Sequence, residues 1–378
     1  MPSFLTSIEL LVTIAAVVVL TVSVVYSDIS IALFNTCFVP LFGLDSRKTA
    51  QKPPTGIVVA FELSVFASLL TILQILQHLL SYRQPQRQRF VIRILLMVPI
   101  YAIDSFWAML DFKQASFIAV ARDTYEAYAL YNFFHLLLDL MGGVHGCVAS
   151  WKSKKMNTMH HSFPLTLLYG DYQLNAKTVE TWRFFVLQYT MLSPVLTLLQ
   201  YIATFEGIFD ESSWSAANLH VYFTAMRCVS VTLAFTALFY CYSSTKKILH
   251  SYHPLGKFIA IKVVVFLCFW QGIVVQLMAH FNVMPHGLKS FVLNWYHGHK
   301  TLEEVEETLC NLLLCAEMFG TAILHHFVFN AKDYKGSDDE KESDKEKEGF
   351  FFQNLLHAFS VSDIVVESKH VVSKSKSE

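Results

Sequence analysis

Seven stretches of this chain are each long enough and apolar enough to cross a lipid bilayer, and that limits its folds more than any other feature. They are Gly56–Tyr82, Phe90–Leu110, Tyr125–Val144, Phe184–Phe205, Ala216–Tyr242, Phe258–Phe281 and Thr308–Asn330. A helix needs about 20 predominantly apolar residues to span the hydrocarbon core. None of the seven shows the two-residue alternation of a barrel strand, so helices are the consistent choice. The expected fold is all-α: a polytopic membrane protein with a seven-helix transmembrane bundle. An eighth run, Ile8–Tyr26, adds one N-terminal hydrophobic helix. The region before it has no positive charge of the kind that starts a signal peptide. We therefore expect it to be retained, the alternative being a signal-like segment, cleaved or not.

Charge distribution agrees. The chain is 54% hydrophobic and 16% charged, against roughly 25% charged in average soluble proteins. The tail from Ala331 to Glu378 alone holds 8 lysines and 11 acids, leaving about 12% charged residues in the first 330. A water-soluble body of this size would need more charge to cover its surface. The chain accordingly divides into residues 1–55 (hydrophobic segment and loop), 56–330 (seven-helix domain) and 331–378 (charged tail). Within the tail, Phe350–Phe359 is apolar enough to lie on a membrane surface or to dock on the bundle.

Lysines and arginines in short loops set orientation. Arg83, Arg87 and Arg89 follow the first span, Lys152, Lys154 and Lys155 the third, and Lys246 and Lys247 the fifth. The intervening loops are poorer, Glu206–Ser213 holding only acids. The basic loops and the C-terminus are therefore expected on the cytoplasmic side, with Gly56 starting outside or in the lumen of the plasma membrane, endosome or vacuole. Arg47, Lys48 and Lys52 run against this bias.

A charged side chain at the bilayer centre costs about 2.5–3.5 kcal/mol on insertion scales, so each one inside a span needs a partner or a hydrated space. Glu62, Asp104, Asp139 and Glu317 stand against Arg227 and Lys262. Pro99 predicts a kink in the second span, five residues before Asp104. Arg93 is about 16 Å from Asp104 along that helix, too far to pair, so Asp104 needs another helix. On the third span, Arg122 and Glu126 are spaced to pair at i, i+4. Asn132, His135 and Asp139 form one narrow stripe, which would line either a polar seam or a substrate path. On the sixth, Lys262 and Gln276 share a face. Arg227, Lys262, Asp104, Asn132, His135, Asp139, Gln276, Glu317 and Glu62 are the candidate substrate-binding set, the two cations meeting an anionic group.

Other chemistry has little support. The seven cysteines are scattered, without a CxxC pair, and read as small core residues. Among 16 histidines, His160-His161, His325-His326 and His297-x-His299 are sequence neighbours. Adjacent residues on a helix point about 100° apart and rarely chelate. Neither HExxH, a nucleophile elbow nor a phosphate-binding glycine loop occurs. We expect no enzyme, no metal and no cofactor. The absence of a basic stripe argues against nucleic acid.

Four stretches carry a resemblance: Val98-Pro-Ile-Tyr-Ala-Ile-Asp-Ser105, Arg122-Asp-Thr-Tyr-Glu-Ala-Tyr-Ala-Leu-Tyr-Asn-Phe133 running on to Gly142-Gly143, Lys257 to Gly272, and Cys315-Ala-Glu-Met-Phe319. Together they are similar to the family that contains the organic solute transporter alpha subunit and the transmembrane protein 184 group. Ser362-Asp-Ile-Val-Val366 resembles a tail motif of the transmembrane protein 184 branch. The resemblance implies seven spans, an outside N-terminus and a cytoplasmic C-terminus. In the alpha-subunit branch it implies facilitated, bidirectional transport of bile acids and conjugated steroids with a small single-span beta partner. In the other branch it implies roles in vesicle trafficking and signalling. The chain departs from the family in places. The loop after the third span reads Met159-His-His-Ser-Phe-Pro-Leu-Thr-Leu-Leu168, where relatives often carry a cysteine cluster for palmitoylation. Thr124 replaces an expected cysteine, Asp139 an expected glutamate, and Arg227-Cys228 an uncharged polar pair.

The expected function is facilitated transport of steroid-like or other amphipathic organic anions. Membrane lipid, the solute and either a beta-like subunit or a second copy are the expected partners. The alternative is a non-transporting trafficking, signalling or receptor-like protein acting through its charged, serine-bearing tail.

Overall fold

Helices account for nearly all of the computed structural model, which describes residues 55–110, 112–156, 158–160, 170–208, 218–246, 248–249, 254–281, 283, 302–334 and 347–360. Within these, the side chains of 55, 112–119, 254–255, 262–269, 279–280, 302–303, 332 and 347–350 are not described. The run Ile8–Tyr26 lies outside the described residues.

In chain order the elements are α1 (Thr55–Leu80), α2 (Pro85–Leu95), α3 (Met97–Leu110), α4 (Phe112–Leu140), α5 (Gly143–Ser153), the short strands β1 (Thr158–Met159) and β2 (Tyr172–Gln173), α6 (Ala176–Phe205), α7 (Leu219–Thr245), α8 (Pro254–His280), α9 (Leu302–Val328), a 3-10 turn at Ala331–Tyr334, and α10 (Lys347–Phe359). Among the described residues, each of the seven apolar stretches falls mainly on helix. Among the described residues, five runs are long and apolar enough to cross a membrane: Gly56–Leu80, Pro85–Leu110, Ala176–Phe205, Leu219–Thr245 and Glu304–Val328. A sixth is reached if α4 and α5, bent by 54°, count as one span. The 27-residue α8 covers the remaining stretch.

Local chemistry explains the interruptions. The break between α2 and α3 falls at Leu96. Pro99 lacks the N–H that would bond the carbonyl of Leu95, and its ring crowds that carbonyl. Gly142 (φ 80°) and Gly143 (φ 75°) form the α4–α5 bend in the left-handed region, which glycine enters without a Cβ penalty. Helix α6 starts on Asn175, whose side chain accepts from the Thr178 amide at 2.9 Å, and α7 on Asn218, which accepts from His220 N at 3.0 Å.

The chain divides into two compact units. One comprises Met1–Gln77, Leu96–Arg122 and Lys262–Phe327, the other His78–Leu95, Asp123–Ile261 and Val328–Glu378. The first unit packs Val58, Leu63, Phe106, Met109, Val305 and Leu309 into a core. There Ser64 Oγ donates to Ala102 O (2.9 Å) and Gln74 Nε2 to His325 O (2.8 Å). The second packs α6 along α7 and stacks Tyr242 on Phe258 (centroids 4.7 Å apart, 8° between planes). Lys257, 2% exposed, meets Asp333 at 3.5 Å.

The α4–α5 bend gives a direct test. A Cβ on Gly146 would sit 2.0 Å from the Met141 carbonyl oxygen, whereas one on Gly320 of α9 meets nothing within 4 Å. Gly146→Ala should destabilise the purified protein by roughly 2 kcal/mol or more. Gly320→Ala should be neutral or mildly stabilising. Thermal unfolding in detergent reads both, and equal midpoints for the two variants would contradict the tight approach.

Candidate functional site

The polar side chains singled out by sequence fall into both units. Glu62, Asp104, Arg122, Gln276 and Glu317 belong to the first unit, as does Lys262, whose side chain lies outside the described residues. Asn132, His135, Asp139, Glu126 and Arg227 belong to the second. In the first unit, Glu62 on α1 is buried at 7% exposure. Asp104 on α3, Gln276 on α8 and Glu317 on α9 are half-buried. Glu317 Oε2 is buried without a hydrogen-bond partner among the described residues.

In the second unit the stripe on α4 meets α2. Asn132 Oδ1 accepts from Arg93 Nη1 at 3.1 Å, and Asp139 Oδ2 accepts from Arg87 Nε at 2.8 Å. Between them the His135 ring packs on Tyr131 (4.3 Å) and beside Phe90 (6.0 Å). Of the two roles open to this stripe, the geometry builds the polar seam. Sequence reasoning used Arg93 only as a distance from Asp104, yet it is the hub of the seam. It is 1% exposed. Its Nε donates to Ala358 O at 2.8 Å and its Nη2 to Ser360 O. The phenol of Tyr125 donates to the Arg93 carbonyl at 2.7 Å.

Ala358 and Ser360 close helix α10, where unsatisfied carbonyls carry the negative end of the helix dipole. A guanidinium with five forked donors suits that end. The helix is held further by Asn354 Nδ2 donating to Leu79 O (3.4 Å) and by His357 Nδ1 on the Tyr82 hydroxyl (3.0 Å). Burial pushes the Tyr82 phenol up to about 12, with Arg89 and Arg93 pulling it back, so it stays protonated and hydrogen-bonding at neutral pH. Of the two placements expected for this apolar tail segment, α10 takes docking on the protein. Phe352, Leu356 and Phe359, spaced along one face, remain 71%, 73% and 45% exposed.

A second cluster surrounds Arg227 on α7. Its Nη1 donates to Asp123 Oδ2 at 2.5 Å, and its Nη2 reaches Thr197 Oγ1 and Gln200 Oε1, both at 3.2 Å. Asp123 heads the second unit's part of α4. Ser193 Oγ donates to its carbonyl at 3.0 Å. One turn on, Glu126 accepts from the Tyr189 hydroxyl at 2.9 Å. Sequence spacing had offered Glu126 to Arg122 and passed over Asp123. The i, i+3 acid pair Asp123/Glu126 was the missed signal, since it places two carboxylates on the α4 face that meets α6. The cluster is a half-buried ion pair flanked by the Thr197 hydroxyl and the Gln200 amide. Its two side chains retain 19% and 18% of their exposure.

Residues 56–334 of the chain match a family model described as organic solute transporter Ostalpha. The chain belongs to that family. It is 28% identical to an Arabidopsis thaliana protein named LAZ1 homolog 1, across 80% of this chain and 62% of that one. It is 30% identical to a Dictyostelium discoideum protein named transmembrane protein 184 homolog, across 77% of this chain and 56% of that one. The alignments thus span about 60% of the relatives' own lengths. No solved structure matches. These relatives agree with placement in the transmembrane protein 184 branch. An organic solute transporter alpha family member with spans this apolar is an integral membrane protein. The family match includes Arg93 and ends at Tyr334, so α10 lies outside it.

Two outcomes follow. Arg93→Met removes charged hydrogen bonds worth about 1.5–3 kcal/mol each. Amide hydrogen exchange over Phe351–Phe359 should rise at least about tenfold, and unchanged exchange would mean that α10 is held by other contacts. Asp123→Ala leaves the Arg227 cation uncompensated. By analogy with fully buried pairs, discounted for partial exposure, it should cost about 2–4 kcal/mol. The double variant Asp123→Leu/Arg227→Leu should recover most of that loss in thermal unfolding, because apolar replacement of a whole pair is near neutral.

Proposed function

We propose that this protein is a carrier of amphipathic organic anions, steroid conjugates among them, working down a gradient. The observation that carries the proposal is the Arg227–Asp123 pair. It sits in the second unit's helices yet keeps about a fifth of each side chain accessible. An arginine satisfied by a carboxylate already has the geometry that a solute carboxylate or sulfate requires. A solute anion can join Asp123 on the Arg227 guanidinium, whose five donors serve more than one acceptor, with Gln200 and Thr197 beside it as further polar contacts. Lys262 is the second proposed cation. The seam from Asn132 to Asp139 holds α2 and α4 together. Family membership supports a transporter-like role. The resemblance also supports testing with a small single-span partner or a second copy.

Uptake of a sulfated steroid into proteoliposomes tests the reading, with and without such a partner. Arg227→Ala and Lys262→Ala should each lower initial uptake by roughly tenfold, the worth of one charged hydrogen bond, at unchanged membrane expression. Full uptake in both variants overturns the assignment. A second reading, trafficking or signalling through the tail, is favoured by the docking of α10 on Arg93. Under it the purified chain carries no flux, and truncation before α10 mislocalises the protein.

A further inference from the structure

Between α6 and α7, within the second unit, lies a pocket of about 380 Å³, inside the roughly 300–1,000 Å³ range of small-molecule sites. We infer that it binds an anionic membrane phospholipid, one acyl chain in the pocket and the phosphate at Lys177. This stands apart from the carrier reading: neither Arg227 nor Lys262 lines it.

The walls suit a hydrocarbon chain. Tyr172, Trp182 and Phe185 line one side, and Leu233, Ala237 and Tyr240 the other. Aromatic contacts fix this lining. Trp182 stands edge-on to Trp151 (6.1 Å) and to Tyr172 (6.2 Å), and Tyr172 meets Tyr240 at 5.2 Å. The β1–β2 pairing holds Tyr172 opposite Met159. The threonines of the lining also present carbon. Thr236 Oγ1 donates to Thr232 O (2.7 Å), Thr181 Oγ1 to Lys177 O (3.0 Å) and Thr178 Oγ1 to Gln173 O (2.6 Å). Their hydroxyl protons are spent on the chain's own carbonyls, which leaves methyl groups for a ligand.

Position and charge choose the occupant. Helices α6 and α7 are the least buried of the five candidate spans, at 39% and 28%. Phe184 (52% exposed), Val229 (62%) and Leu233 (38%) continue the pocket's apolar surface outward. The bilayer is therefore the solvent of the opening. Trp182 lies within two turns of the start of α6 and Tyr240 within two turns of the end of α7, so the pocket sits where these spans leave the hydrocarbon. Lys177 is exposed in the first turn of α6, where a cation and the positive end of the helix dipole act together on an anion. Glu180, one turn on, is turned toward Arg183 at 3.8 Å. The loop-charge reading puts this end of α6 on the cytoplasmic side, the leaflet that carries anionic lipid.

The test uses the full chain in neutral detergent, its thermal unfolding titrated with phosphatidylserine, phosphatidylcholine or inorganic phosphate. Phosphatidylserine should raise the midpoint saturably, by a few degrees as expected for a ligand that binds only the folded state. Phosphatidylcholine should do less, and inorganic phosphate nothing. Lys177→Glu should reduce the phosphatidylserine response to that of phosphatidylcholine. Thr236→Trp, which fills the pocket, should abolish both, and Thr181→Trp replaces it if the protein yield collapses. A response to inorganic phosphate alone would point to a headgroup site without a chain pocket and overturn the proposal. So would a phosphatidylserine response that survives Lys177→Glu and the tryptophan variant. Steroid flux is measured separately, so carrier activity can fail while the lipid response stands, and the reverse.

Discussion

Hydrocarbon offers no hydrogen bonds, and the arrangement of this protein follows from that lack. Each backbone polar group must be satisfied within its own helix, and each polar side chain must find a partner inside the protein or face its desolvation cost. The small hydroxyls meet the requirement locally. Thr190, Thr197, Thr204, Thr232 and Thr236 each donate to the carbonyl four residues back. Larger groups cannot do so, and they set how helices meet. Arg93 binds α2 to α4 and α10, while Arg227 binds α7 to α4 and α6.

These two arginines show how environment divides one residue type into two roles. Arg93 is nearly inaccessible and spends donors on carbonyls at a helix end and on an amide oxygen. Those partners are parts of the fold and cannot leave without undocking α10. Arg227 faces a side-chain carboxylate and keeps 19% of its side chain accessible. A second anion can approach there while Asp123 stays in place, so neither charge of the pair is left bare. A site for a charged solute inside a membrane needs that property more than it needs an unpaired charge, which would be several kcal/mol too expensive to keep.

The second unit adds an aromatic corner where β1, β2, α5 and the start of α6 converge. Trp151 Nε1 donates to Ser244 O at 3.2 Å, tying α5 to the end of α7, and Trp182 packs against that indole. The bend at Gly142 and Gly143 makes the corner by turning α5 away from α4. The same corner walls the pocket beside Lys177. One glycine pair thus connects a backbone conformation that costs residues with a Cβ to the recess beside α6 and α7.

Amino-acid order by itself determined the helical membrane class, the positions of all seven apolar stretches, the break before Pro99 and the family, because span length, hydropathy and proline geometry are local properties. It also marked Arg227, Asn132 and Asp139 as groups that could not stand alone. Which partner each one took was not legible. Asp123 rather than open space met Arg227, Arg93 and Arg87 met the α4 stripe, and Tyr189 of α6 met Glu126. Those choices depend on crossing angles and helix rotation, which spacing along one chain does not encode. The pocket of α6 and α7 lay further out of reach, since its walls come from three elements. Its apolar character rests on aromatic and aliphatic side chains together with threonine hydroxyls bonded to backbone carbonyls, and only the folded backbone decides that.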